Sequence, residues 1–146
     1  MQTFDNNEQK WPYELFGIEC DKGWERLYGP IIDYINKFNE SHPGSNIEIH
    51  QIKEKFGGLR FYWGGDNVPK ETQEELSKMI RDAESESFCV CEQCGAPAGT
   101  VISGWYFTLC EDCVKKLAEK NHRSYKWEDG DKIYIIDENG KSEYTQ

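Results

Sequence analysis

Cys91-Glu-Gln-Cys94, fifteen further residues, then Cys110-Glu-Asp-Cys113 is the stretch on which the fold of this chain turns. Two residues between paired cysteines let both thiolates reach one ion while the intervening amides turn toward the sulfurs, and Gly95 eases that turn. Four thiolates at about 2.3 Å from one ion make the closed, structural form of zinc coordination, with no open position for water and so no Lewis-acid chemistry. The expected ligands are Cys91, Cys94, Cys110 and Cys113, and the expected cofactor is zinc. Cys89 is the alternative first ligand, since four residues separate it from Cys94. His122 lies nine positions beyond Cys113, outside a set already complete.

Working outward, Thr100 to Leu109 reads as two short strands around Ser103-Gly104, and Val114 to Lys120 reads as a helix. Knuckle, hairpin, then a helix carrying the second cysteine pair in its first turn is the treble-clef order, and the helix N-terminus favours thiolate charge there. Five of the six cysteines fall between positions 89 and 113. The opening Met1 to Lys10 has no apolar segment, so the expected setting is the reducing cytoplasm, where clustered cysteines hold metal rather than form disulfides.

Upstream, Trp24, Leu27, Ile31, Ile35 and Phe38 recur at helical spacing, with Gly29-Pro30 either restarting or kinking the helix. Ser41 to Asn46 is punctuated as a loop. Ile47 to Lys53 and Leu59 to Trp63 read as a β-hairpin, with Gly57-Gly58 as its turn or a bulge. Residues 69 to 86 return to helical spacing, with Leu76, Met79, Ile80 and Ala83 inward. After Trp127, Asp131 to Asp137 and Lys141 to Thr145 can pair across Asn139-Gly140. The expected fold is α+β: N-terminal helices, a central hairpin and a helix over residues 1–88, a zinc module over 89–127, and an acidic C-terminal hairpin over 128–146.

The 146-residue chain carries a formal net charge of −10 and is 14% aromatic, enough to build a core and too acidic for uniform phosphate binding. Residues 1–45 and 128–146 are each net −4, the 70–88 helix holds six acids against three bases, and 89–127 is net +1. Two basic patches stand out as partner surfaces. One is Lys53, Lys55 and Arg60 with Phe56 and Tyr62. The other, read as a basic helix over 115–127, holds Lys115, Lys116, Lys120, Arg123 and Lys126 with Tyr125 and Trp127 as stacking platforms for nucleic acid.

Phe16-Gly-Ile-Glu-Cys-Asp-Lys-Gly-Trp24, Gln51-Ile-Lys-Glu-Lys-Phe-Gly-Gly-Leu-Arg-Phe-Tyr62, Ala83-Glu-Ser85, Cys91-x-x-Cys-Gly95 and Gly104-Trp-x-x-Thr-Leu-Cys110 stand together over about residues 13–118. As a set they resemble a family of small, uncharacterised proteins of tailed phages and prophages. The chain departs from that pattern at Cys113, where some members are expected to carry histidine, and in its acidic tail. The resemblance implies a genomic setting and no established activity.

No catalytic constellation emerges. His42, His50 and His122 have no nucleophile pattern beside them, the H-x-E of zinc deaminases is missing, and Glu14 with Glu19 or Asp131 with Asp137 read as surface acids. Cys20 lies between two acids, which raises a thiol pKa and fits a small buried hydrophobe. The expected function is a non-enzymatic binding protein, an anti-CRISPR-like inhibitor whose acidic surface meets a basic, nucleic-acid-handling host enzyme. The alternative is a zinc-module regulator that binds RNA or DNA through 115–127.

Overall fold

A computed structural model describes residues 17–145. The helical spacing after Trp24 folds as α1 (Glu25–Ser41), entered through a 3-10 turn at Lys22–Trp24. Trp24, Leu27, Ile31, Ile35 and Phe38 are all buried. Pro30 does not restart the helix: it lies inside α1, on its exposed side. Residues 1–16 lie outside the described residues, so among the described residues the expected N-terminal helices are the 3-10 turn and α1.

Strands β2 (Asn46–Lys55) and β3 (Gly58–Asp66) form the antiparallel hairpin, and β1 (Ile18–Glu19) joins β2 in parallel, so the first sheet runs β1-β2-β3. The turn sits one residue earlier than Gly57-Gly58. Lys55 pairs with Gly58, leaving Phe56 (φ 53°) and Gly57 (φ 85°) as the two central residues. Two positive φ angles match the twist of the strands, as in a type I′ turn. The bulge is elsewhere: Ile49 pairs with Trp63 and Gln51 with Tyr62, so His50 is the extra residue. It switches the inward phase of β2 from Ile47 and Ile49 to Ile52, and all three isoleucines reach one core. Helix α2 (Lys70–Ser87) covers β3 and α1 with Leu76, Ile80 and Ala83.

The second sheet contains β4 (Gly99–Val101), β5 (Phe107–Leu109), β6 (Tyr125–Asp129), β7 (Lys132–Asp137) and β8 (Gly140–Glu143), in the order β5-β4-β6-β7-β8 and antiparallel throughout. Helix α3 (Glu111–Asn121) packs on β6 and β7. The α+β expectation holds, with three α-helices and two sheets among the described residues.

Two readings need correction. The basic helix over 115–127 does not exist as one element: α3 ends at Asn121, His122 turns the chain in the left-handed conformation (φ 53°), and Tyr125–Asp129 is strand β6. The reason is a change of period, since Tyr125 and Trp127 alternate with Lys126 and both are buried. The boundary at 127/128 therefore cuts through β6. The expected C-terminal hairpin does form, as β7 with β8, and it joins the second sheet beside β6.

Candidate metal centre

Four sulfurs meet where the knuckle Cys91–Cys94 faces the start of α3. The Sγ atoms of Cys91, Cys94, Cys110 and Cys113 all lie within 4.8 Å of one another, and those of Cys94 and Cys110 are 3.6 Å apart. A tetrahedron with metal–sulfur bonds of about 2.3 Å has edges of about 3.8 Å, so the donors are already gathered for a metal ion. Cys89 is exposed and does not belong to the group, and His122 faces Glu138 at 3.5 Å.

Local backbone geometry makes the knuckle. The Gly95 amide donates to the Cys91 carbonyl at 2.8 Å, the Cys91 amide to the Ala96 carbonyl at 2.7 Å, and Gly95 takes φ 84°, a left-handed angle that glycine adopts without strain. The Ala96 amide, bonded to the Cys94 sulfur, holds that thiol below its ordinary range. Burial pushes Cys110 and Cys113 up. Cys110 caps α3 and Cys113 lies in its first turn, so the helix dipole offsets part of the charge that metal binding would create by displacing their protons.

The knuckle is also locked to the N-terminal half, which the cysteine pattern did not reveal. The Gly23 amide donates to the Glu92 carbonyl at 2.7 Å, the Trp24 indole to the Val90 carbonyl at 2.7 Å, and the Asp21 amide to the Glu92 carboxylate at 3.0 Å. A Cβ on Gly23 would lie 2.2 Å from the Cys91 carbonyl oxygen. The Thr108 hydroxyl donates to the Gly57 carbonyl, and the Glu92 amide to the Thr108 carbonyl at 3.0 Å, so the hairpin turn reaches the same knuckle through β5. Gly23-Trp24 and Phe56-Gly57, prominent in the sequence, are the signals that mark these contacts.

Of the expected partner-binding residues, the structure gathers one group and separates the other. Lys53 and Arg60 are cross-strand partners on the outer face of the first sheet, with Lys55 over the Phe56 ring at 5.7 Å and Lys53 over the Tyr62 ring at 5.9 Å. Lys115 and Lys116 lie exposed on α3, Lys126 lies over Tyr144 on β6, and Arg123 stacks on Tyr125 at 4.8 Å. Trp127 is no platform for bases: it is buried, and its indole donates to the Leu109 carbonyl at 2.9 Å. Glu19 accepts from Gln51, Asp137 caps the β7–β8 turn, and Glu14 lies outside the described residues. Among the described residues no helix is long and apolar enough to cross a membrane. Compared with protein-family models, curated proteins and solved structures, the chain matches none.

Proposed function

We propose that the chain is a non-enzymatic binding protein held rigid by one zinc ion, acting in the cytoplasm of a phage host by direct contact with a basic, nucleic-acid-handling enzyme. A set of four thiolates selects a soft or borderline ion, and with no position left for water the metal's part is structural. The observation that carries the reading is an aromatic surface around the hairpin turn. Phe56, Trp105 and Tyr106 are 58%, 57% and 53% exposed, the rings of Phe56 and Trp105 are 6.4 Å apart, and exposed Phe88 lies over Gly58. Large aromatics left together in water mark contact surfaces, because partners bury them at little entropic cost.

The turn that presents Phe56 is fixed from three sides: Glu54 accepts the Gly57 amide at 2.7 Å, Thr108 caps the Gly57 carbonyl, and Phe88 covers Gly58. A rigid aromatic anchor on a chain of net charge −10 suits a partner that is itself basic. Affinity purification from host cells tests the reading. The expected outcome is a nuclease-type enzyme retained by the wild-type chain and released by Phe56→Ser/Tyr106→Ser at unchanged melting temperature. Retention by both would overturn it. Recovery of RNA or DNA without an enzyme would favour the nucleic-acid reading instead.

A further inference from the structure

A cleft of about 460 Å³ opens beside the aromatic surface, between the knuckle and the second sheet. Its lining includes three acids, Asp21, Glu54 and Glu92, the rings of Trp105 and Phe107, and Arg123, which lies over Tyr125. Its volume is that of sites holding a small organic group or a few peptide residues.

The Glu54 carboxylate accepts the Gly57 amide at 2.7 Å and the Glu92 carboxylate accepts the Asp21 amide at 3.0 Å. None of the three acids forms an ion pair with a lysine, arginine or histidine among the described residues. Nor do they gather on a point: among the described residues, the four cysteines are the one group of three or more whose donor atoms converge as for a metal. A divalent ion is therefore a poor match. Carboxylates that share a cleft with aromatic rings suit a flat cation with several diverging donors. A guanidinium has that shape, donating in the plane to carboxylates and offering its face to indole or phenyl rings, whereas an ammonium is a compact point charge.

We propose that this cleft receives an arginine side chain from the basic partner, its guanidinium on Asp21 and Glu54 and its stem along Trp105 and Phe107. The inference rests on the reading of the aromatic surface as a docking site, since Trp105 belongs to both.

The test is a titration of the metal-loaded full chain with hexa-arginine and hexa-lysine peptides at about 0.15 M salt, where attraction beyond about 8 Å is screened. Amide and indole NMR shifts report the location. The expected result is shifts at Trp105, Gln93 and Asn121 with arginine preferred, and affinity about tenfold weaker for Asp21→Asn/Glu54→Gln. The control Glu74→Gln/Glu75→Gln removes the same charge from α2 and is expected to bind as wild type. Equal weakening in the control, equal affinity for both peptides, or shifts away from the cleft would overturn the proposal. If the peptide misses the cleft while Phe56→Ser/Tyr106→Ser still releases the enzyme, the arginine site fails and the docking surface stands. Cleft binding with enzyme capture untouched by that variant is the reverse.

Discussion

Gly23 shows at the scale of one residue why the halves of this chain cannot be treated apart. Its missing side chain leaves room for the Cys91 and Glu92 carbonyls, and backbone atoms cannot step aside for a methyl group as a flexible side chain could. Gly23→Ala is expected to lose about 3 kcal/mol or more in urea unfolding, at the upper end for overpacking. Trp127→Ala is expected to lose about 3–5 kcal/mol by the same measurement, as a buried aromatic does, where a surface base platform would lose almost nothing. Cys20 is half-buried, and burial first, then Glu92, Asp21 and Glu54, push its thiol up to about 12. At pH 8 it should resist iodoacetamide while exposed Cys89 is alkylated, read by mass spectrometry. Since the folded pKa lies above the unfolded one, this group's contribution to stability is intact below about pH 9 and declines as pH rises toward 12. The flanking acids of Cys20 were legible in sequence. Its burial, the largest cause, belongs to the fold.

Among the elements, those with a strong period were legible and those whose period is broken were not. The spacing of Leu27, Ile31 and Ile35 marks α1, and the Cys-x-x-Cys pairs fix the knuckle and the start of α3. Strand β6 was hidden because lysines and aromatics at 115–127 are compatible with a helix until its cross-strand partners Tyr134 and Ile136 are known. The β2 bulge was hidden for a similar reason: it is defined by what lies opposite. Since His50 is the unpaired extra residue, deleting it should regularise the hairpin, with a urea midpoint near that of wild type. Deleting Lys53 instead should turn the strand's remaining side chains to the wrong face and prevent folding. Equal damage from the two deletions would mean that the register is wrong.

For the whole molecule, metal coordination and tertiary docking are one structure. The sulfurs shape the knuckle, the knuckle carbonyls receive Gly23 and Trp24, and Thr108 ties the hairpin turn to β5. Removing the metal with a strong chelator should therefore melt the second sheet and also weaken amide protection in α1, seen by hydrogen exchange. The cysteine spacing made the donor set legible. It could not show the acidic cleft, whose walls come from segments as far apart as Asp21 and Arg123. The most direct test is native mass spectrometry of the wild-type chain and three cysteine variants. The expected result is one zinc ion per chain, kept by Cys89→Ser and lost or sharply weakened in Cys91→Ser and Cys113→Ser; a metal-free folded chain, or full occupancy in Cys91→Ser, would contradict it.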